Sequence, residues 1–411
     1  MVALLFTHRT PALLTLSALF LLTAFTAPLT HAQPATIVVG SQPSGIAYDS
    51  VKGELFVANY GSNTVSVISD NTNSVVANVT VRSPLGVAYD PGKGEVWVVN
   101  EFGSAVSAIA DSNDSVVASV PVGSEPIGIA YDSGKGEIFV GNQGSDTVSV
   151  ISESTRAVVA TVKGLSAPEG MAYDSAKGEI FVATPGPALD LSNSVSVISD
   201  ITNAVVANVT VGIAPYGVAY DPAKGEVFVS NQGSDTLSVI SDSGNQVLAN
   251  VNVGSNPDGV AYDSGKSLVF AANAGDNTVS AVSDSSDKVV TTVGAGGDPG
   301  AIAYDSAKGE LFVPGFGSGI VSVISDATLG SSTSSAASTT STSSSSSTPT
   351  STIATSHTST SSSSSGSSAS SSSSISWSYV IIVAIDAALL LAVGGLVAAR
   401  KKNLGPIQRH L

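Results

Sequence analysis

Carboxylates are the most numerous ionisable side chains of this chain, with 32 Asp and Glu against 16 Lys and Arg. The 411 residues include no cysteine, and the four histidines are His8, His31, His357 and His410, outside the long repetitive part of the sequence. That part therefore lacks the usual ligands of zinc, copper and haem, and it lacks a histidine general base. Ser-His-Asp hydrolysis is excluded there, whereas acid–base chemistry by carboxylates stays open.

An aspartate recurs along the chain at the end of a short block that reads Gly45-Ile46-Ala47-Tyr48-Asp49 in its first copy, and a lysine follows three residues later. Equal residues in every copy favour a structural role, because a single site needs asymmetry. We expect the aspartate to cap a turn, and the lysine to provide solubility or a weak surface ion pair. Turn positions are also expected for the acids that follow the third strands: Asp70, Asp111, Glu153, Asp200, Asp242, Asp284 and Asp326.

The spacing of these blocks predicts the elements that must position them. The seven tyrosines are 41, 42, 42, 47, 42 and 42 residues apart, and a period of this length is typical of a repeat architecture. Each copy contains four runs rich in Val, Ile, Phe and Thr, separated by turns. The second run, 55–58, is continuously apolar and should be covered on both faces, whereas the third, 64–67, alternates and should be less covered. The sequence thus predicts an all-β, seven-bladed propeller of four-stranded antiparallel blades.

The two ends of the repeat region predict how the ring closes. The seventh repeat stops after Asp326, before its fourth strand, and residues 35–40 match the fourth-strand segment 207–212 position for position. We therefore expect the N-terminal strand to complete the last blade and to cover an edge that could otherwise pair with other chains.

The repeat resembles the YVTN-type β-propeller repeats of surface-layer-like proteins in bacteria and archaea. The segment Phe56-Val57-Ala58-Asn59 occupies the place of the naming tetrapeptide, and similar tetrads begin at Trp97, Phe139, Phe228 and Phe270. The fourth repeat departs from the pattern with Thr184 and the seventh with Gly315. The resemblance covers about 35–326 and implies the fold, but propellers host unrelated functions.

The asymmetric residues of the repeats fall in loops that should share one face of the propeller. We predict a ligand-binding face from the loops after the second strands and from the blade connections: Tyr60, Glu101, Phe102, Gln143, Asp190, Tyr216, Gln232 and Phe316. The connections add Glu125, Glu169, Asp258 and Asp298. This acidic face with a few aromatics is interpreted as a site for a protein, a glycan or a divalent cation, or as a solvated rim. No loop matches an EF-hand or a glycine-aspartate repeat, so we assign no metal ligand or cofactor and leave calcium open.

Charge excludes one class of partner. Residues 33–376 carry 11 basic and 31 acidic side chains, and nucleic-acid binding needs a basic footprint instead. Glycosylation sequons begin at Asn78, Asn113 and Asn208.

The flanking segments predict a cell-surface location. Residues 1–32 are typical of a signal peptide, with an uncleaved N-terminal anchor as the alternative. Residues 33–326 are the propeller, and 327–376 are a Ser/Thr-rich stalk without a core. Residues 377–399 predict one transmembrane helix bounded by Trp377 and Tyr379 on one side and by Arg400, Lys401 and Lys402 on the other. Positive-inside bias places 400–411 in the cytoplasm.

Asp386 is a polar residue within the predicted transmembrane helix. It lies beside Ala384, Ala388 and Ala392, whose spacing allows close helix approach. We expect either that Asp386 is protonated or reaches water, or that the helix self-associates or pairs with another membrane protein.

Together these features predict a membrane-anchored cell-surface propeller that acts as a binding, adhesion or envelope-structural module. We assign no catalytic residue and expect a role other than catalysis. The alternative is an extracellular calcium-dependent hydrolase, because some propellers that this one resembles hydrolyse lactones with carboxylates. Against it, the sequence shows no distinctive acid set confined to one or two blades facing the central axis.

Overall fold

The computed structural model describes residues 34–186 and 193–329, which form seven four-stranded antiparallel sheets. The innermost strands of successive sheets contact one another in cyclic order, and the last contacts the first. The predicted seven-bladed propeller is therefore confirmed.

The strands follow the chain in order. Blade 1 contains β2 (Pro43–Asp49), β3 (Glu54–Asn59), β4 (Thr64–Ser69) and β5 (Ser74–Thr80); blade 2 contains β6 (Pro84–Asp90), β7 (Glu95–Asn100), β8 (Ala105–Ala110) and β9 (Ser115–Pro121). Blade 3 contains β10 (Pro126–Asp132), β11 (Glu137–Asn142), β12 (Thr147–Ser152) and β13 (Ala157–Lys163); blade 4 contains β14 (Met171–Asp174), β15 (Glu179–Thr184), β16 (Ser194–Ser199) and β17 (Ala204–Thr210). Blade 5 contains β18 (Pro215–Asp221), β19 (Glu226–Asn231), β20 (Thr236–Ser241) and β21 (Gln246–Asn252); blade 6 contains β22 (Pro257–Asp263), β23 (Leu268–Asn273), β24 (Thr278–Ser283) and β25 (Lys288–Gly294). Blade 7 contains β26 (Ala303–Asp305), β27 (Glu310–Gly315), β28 (Ile320–Ser325) and the N-terminal β1 (Ala35–Val38). Short 3₁₀ helices span Glu101–Gly103, Gln143–Ser145 and Asp326–Thr328.

The hydrophobic core lies between neighbouring blades. Phe56 and Val67 of blade 1, for example, pack with Val96 and Ile109 of blade 2. Each blade thus buries its faces against both neighbours, as expected for repeats that stack.

The burial of the second and third strands tests two of the sequence predictions. The apolar run of β3 is buried throughout, as predicted. The run 64–67 of β4 is less completely covered only at Thr64, which is half-buried, whereas Ser66 is fully buried despite the alternating pattern. Ser66 Oγ accepts a hydrogen bond from Asn59 Nδ2 at 2.9 Å and donates one to Asn78 Oδ1 at 2.8 Å. Since both polar partners lie on flanking strands, a serine can occupy this position at little cost in desolvation.

The ring closes through the N-terminal strand, as predicted. β1 pairs antiparallel with β28, and Ala35 lies opposite Val323 while Val38 lies opposite Ile320. Ile37 of β1 is 5% exposed and belongs to a core cluster with Leu55 of blade 1 and Phe312 of blade 7. The closing strand therefore fills the core between the first and last blades as well as completing a sheet.

Around the central axis, the innermost strands approach one another closely at a glycine. A Cβ on Gly128 would lie 1.8 Å from the carbonyl oxygen of Glu169 in the next blade, and one on Gly170 would lie 2.1 Å from that of Tyr216. Glycine is required here because any side chain would collide with the neighbouring backbone.

The recurrent aspartate caps a turn in each blade, as predicted. Asp49 Oδ1 accepts hydrogen bonds from the backbone N–H groups of Val51 and Lys52, at 2.9 and 3.1 Å. These turns define one face of the propeller, which we call the lower face. The opposite face, formed by the blade connections and by the loops after the second strands, is called the upper face.

The lysine that follows the aspartate does more than the weak surface pairing predicted for it. Lys177 Nζ of blade 4 lies 3.4 Å from Asp242 Oδ1 of blade 5, and Lys308 Nζ of blade 7 lies 3.0 Å from Asp70 Oδ1 of blade 1. Similar pairs join Lys135 to Asp200, Lys224 to Asp284 and Lys266 to Asp326. The acids that follow the third strands therefore connect adjacent blades, in addition to ending their strands.

Within six of the blades a tyrosine donates a hydrogen bond to the same acids. Tyr48 Oη donates to Asp70 Oδ2 at 3.1 Å, and Tyr131 Oη donates to Glu153 Oε2 at 2.8 Å. Burial, together with these carboxylates, raises the pKa of both tyrosines above the ordinary value. Since the arrangement repeats around the ring, the lower face is structural in every blade.

Several predicted residues and segments lie outside the described part of the chain. They are residues 1–32 and 377–411 together with most of 327–376, and they include Asp190, Trp377, Tyr379, Asp386, Arg400, Lys401 and Lys402. Among residues 34–186 and 193–329, no helix has the length and hydropathy needed to cross a bilayer.

Candidate binding site at the centre of the upper face

Strand register places the predicted binding residues on one face, as the sequence indicated. Pro43, at the start of β2, pairs with Asn59 at the end of β3, so the blade connections and the loops after the second strands lie at the same end. Backbone hydrogen bonds join them: the N–H of Tyr60 donates to Gln42 O at 3.0 Å, and that of Gln143 donates to Glu125 O at 2.9 Å.

At the centre of this face, seven variable residues surround the axis. The innermost strand of each blade is reached through a Pro-X-Gly motif, or Pro-X-Ala in blade 7. In most blades the X residue lies against the motif glycine of the preceding blade. The X residues are Ser44, Leu85, Ile127, Glu169, Tyr216, Asp258 and Gly300. At the centre of the upper face the blades therefore carry different residues, whereas on the lower face they carry equivalent ones.

Glu169 is the most deeply buried acid of this ring. Glu169 is only 7% exposed, and its Oε1 accepts a hydrogen bond from Gln143 Nε2 at 2.7 Å. Its Oε2 has no hydrogen-bond partner among the described residues. The pKa of Glu169 is raised to about 8, mainly by burial and also by the negative charge of Asp258, while the Gln143 hydrogen bond acts in the opposite direction.

Two more carboxylates complete what we call the acidic cluster, Glu169, Asp258 and Asp298. Burial raises the pKa of Asp258 to about 7, and the charge of Asp298 adds to this shift. The pKa of Asp298 is itself raised by burial. Asp258 is half-buried, and its Oδ2 lies 4.0 Å from where a Cβ on Gly300 would stand, so its carboxylate extends toward blade 7.

Three aromatic side chains of the same face form what we call the aromatic cluster. The ring centroid of Tyr60 is 6.2 Å from that of Phe102 and 6.5 Å from that of Phe316. Tyr60 and Phe316 are half-buried, whereas Phe102 is 54% exposed. The N–H of Phe316 donates to Asp298 O at 2.9 Å, so the backbone joins one member of each cluster within blade 7. The upper face thus carries aromatic rings from blades 7, 1 and 2 and acids from blades 4, 6 and 7.

The structure brings together some of the predicted site residues and not others. Tyr60 lies against both Phe102 and Phe316, and Gln143 binds Glu169. Tyr216 lies on the axial ring between Glu169 and Asp258. Glu101 begins a 3₁₀ helix, and its N–H donates to Ser83 O. Gln232 occupies the equivalent position of blade 5, where its N–H donates to Ala214 O.

The acidic cluster is the part of the site that sequence reasoning missed. Glu169, Asp258 and Asp298 were expected on this face, but no grouping of acids from a few blades around the axis was expected. The sequence argument concerned an acid set confined to one or two blades, whereas the acids of this cluster come from blades 4, 6 and 7. The signal that could have found it is the Pro-X-Gly motif, because its variable residue always stands on the axial ring.

The described residues do not form a ready metal site. In residues 34–186 and 193–329, no group of three or more His, Cys, Asp or Glu side chains is arranged to hold a metal ion. The acidic cluster thus does not fit calcium, which takes six to eight oxygen ligands.

The predicted sequons are at accessible positions. Asn78 lies in β5 and Asn208 in β17, both outermost strands, while Asn113 lies in the turn before β9. All three residues are exposed. The Oδ1 atoms of Asn78 and Asn208 accept hydrogen bonds from Ser66 and Ser196. Glycosylation of these residues stays a prediction.

Comparison with known proteins supports the fold alone. No protein-family model matches the chain, and no curated protein matches it. Among solved structures, the chain is similar to hydrazine synthase of Kuenenia stuttgartiensis, with a TM-score of 0.62 and 18% identity over 73% of this chain and 98% of that chain. At this identity the similarity shows a shared propeller fold, and the YVTN-type, surface-layer-like assignment stays a prediction.

Proposed function

We propose that this protein is a membrane-anchored cell-surface propeller that binds a protein or glycan ligand at the centre of its upper face. The observation that carries the proposal is the contrast between the two faces. The lower face repeats one Asp, Tyr and Lys arrangement in successive blades, whereas the upper face gathers an acidic and an aromatic cluster from different blades. Partly exposed aromatic rings next to buried polar groups are typical of ligand-binding surfaces.

The membrane anchor in this proposal is supported by the sequence. The apolar run 378–399 is long enough to span a bilayer, and the basic residues at 400–402 favour a cytoplasmic tail. Protease added to intact cells should remove the propeller and leave a short membrane fragment. Protection of the propeller from protease would show that it does not lie outside the cell.

The binding site is tested with the full-length chain on its own cells. We expect soluble envelope glycans or proteins to be retained by the native chain and retained at least tenfold less by a Tyr60→Ala/Phe316→Ala double variant. Val51→Ala is the matched control, because Val51 is 73% exposed on the lower face. Equal loss in the control, or no loss in the double variant, would place binding elsewhere.

A second candidate function is an extracellular hydrolase, favoured by the acidic cluster. Carboxyl groups whose pKa values lie near 7 and 8 suit general acid–base catalysis at neutral pH. A hydrolase would turn over lactones repeatedly, and Glu169→Gln would abolish the turnover. A binding module would show no turnover with either form, and calcium is not assigned a role because the cluster does not fit it.

A further inference from the structure

We propose that the upper face recognises an organic cation, the ammonium or guanidinium group of a lysine or arginine side chain on a partner protein. The cation would lie against the acidic cluster, and its aliphatic stem would pack on the aromatic cluster. This inference rests on the proposed binding function and specifies the chemistry of the ligand.

The first observation is the unpartnered oxygen of Glu169. Its residue is more than nine-tenths buried, one carboxylate oxygen is bound by Gln143, and the other has no partner among the described residues. A buried carboxylate oxygen without a donor is unfavourable in an empty site. An ammonium supplies three donors and a guanidinium five, so either could satisfy Glu169 and Asp258 together.

The second observation is independent of the acids and concerns the aromatic cluster. A cation is attracted to the face of an aromatic ring within about 6 Å of its centroid. Lysine and arginine also carry an aliphatic stem that packs on apolar surface while the charged head reaches a polar group. The backbone N–H of Phe316 donates to Asp298 O, so the backbone segments that carry this ring and this acid are neighbours on the upper face.

The chemistry of the site favours an organic cation over other ligands. A divalent metal would need a convergent oxygen set, and the described residues form no such group. A neutral sugar could stack on the rings and donate hydroxyl groups, but it carries no positive charge to pair with these acids. The excess of 31 acidic over 11 basic side chains in residues 33–376 would also attract a basic partner electrostatically.

Binding of a cation should be coupled to proton release. The titratable group that acts on Glu169 is Asp258, which is itself acted on by Asp298, and Gln143 beside Glu169 is neutral. The empty site holds protons at neutral pH, since the pKa values of Glu169 and Asp258 are raised to about 8 and about 7. A cation favours the ionised forms, so affinity should rise as pH increases from 6 to 9.

The test is calorimetric titration of the full-length protein in detergent with a neutral-flanked peptide, acetyl-Gly-Gly-Lys-Gly-Gly-amide. The same peptide with norleucine in place of lysine keeps the stem and removes the charge. We expect the lysine peptide to bind at least tenfold more tightly than the norleucine peptide, and its affinity to increase at least tenfold from pH 6 to pH 9.

Two variants locate the binding, and a third serves as control. Glu169→Gln and Asp258→Asn should each weaken lysine-peptide binding at least tenfold and flatten its pH dependence, with thermal unfolding confirming that both are folded. Asp276→Asn removes one negative charge at an exposed position in the loop after β23, on the same face, and should alter affinity less than twofold. Equal weakening by Asp276→Asn would reduce the effect to general charge attraction and overturn the proposal.

The outcomes separate this inference from the proposed function. If the norleucine peptide binds as well as the lysine peptide, or if diacetylchitobiose binds and the lysine peptide does not, the cation proposal is wrong while a binding function stands. If the Tyr60→Ala/Phe316→Ala variant keeps its cell-surface ligand, the proposed function itself fails at this site.

Discussion

Replacing one side chain of the N-terminal strand should measure how much ring closure contributes to stability. Ile37 is 5% exposed and packs in a cluster with Phe312, Val321 and Val323 of blade 7 and with Leu55 of blade 1. Ile37→Ala removes three carbon atoms from this core, and burial of each contributes about 0.8 kcal/mol. The cavity left behind adds to the loss, so we expect the free energy of unfolding to fall by about 3 kcal/mol.

The neighbouring residue supplies the control for this prediction. Val38 lies on the same strand but is 75% exposed, so Val38→Ala should change the free energy of unfolding by less than about 0.5 kcal/mol. Both variants are compared with the native chain by urea unfolding monitored by circular dichroism and by tryptophan fluorescence, because Trp97 is buried in blade 2. Equal effects of the two substitutions, or an unchanged midpoint for Ile37→Ala, would refute the reasoning that β1 closes the core.

Three further predictions follow from the inner strands, the acidic cluster and the membrane segment. Gly128→Ala places a Cβ 1.8 Å from a neighbouring carbonyl oxygen and should destabilise the fold by at least about 2 kcal/mol. A Cβ on Gly294 meets nothing within 4 Å, so Gly294→Ala should be near neutral. The midpoints of urea unfolding of the two variants, compared with the native chain, test this difference. Glu169 has a native pKa of about 8 against an ordinary value of 4.5, so the native state binds the extra proton and loses stability as pH rises between those values. Glu169→Gln should therefore be more stable than the native chain, by on the order of 3–5 kcal/mol above pH 8, and a constant difference from pH 4 to pH 9 would contradict this. Asp386→Leu should insert at least as well yet lose crosslinked oligomers, and equal crosslinking would leave Asp386 without a role in assembly.

Much of the fold could be predicted from the sequence because it depends on local pattern. The block ending at Asp49 repeats with a nearly constant period, and each copy carries its own strands and turns. The closing strand could be predicted too, since a missing fourth strand at one end and an orphan one at the other are both visible in the sequence. The Asp49 turn was predictable because its hydrogen bonds join atoms only two and three residues apart.

Burial and contacts between blades were decided by the tertiary structure. Ser66 follows an alternating pattern that predicts exposure, yet Asn59 and Asn78 satisfy its hydroxyl from both sides and allow it to be buried. Lys308 appeared to be a solvated turn residue, but ring closure brings it to Asp70 at the other end of the propeller. Such pairings depend on how the blades pack against one another, and the sequence repeat within a blade does not indicate this.

The candidate site shows most clearly which features the sequence predicts and which the tertiary structure decides. The sequence by itself placed Tyr60, Phe102, Phe316 and the acids on one face, because every blade has the same topology and so presents the same loops there. Which of them meet is fixed by the angular positions of the blades, and these carry Phe316 to Tyr60 and Asp258 toward Glu169. The raised pKa values follow from that meeting, since desolvation and like charge act only once the carboxylates are buried together around the axis.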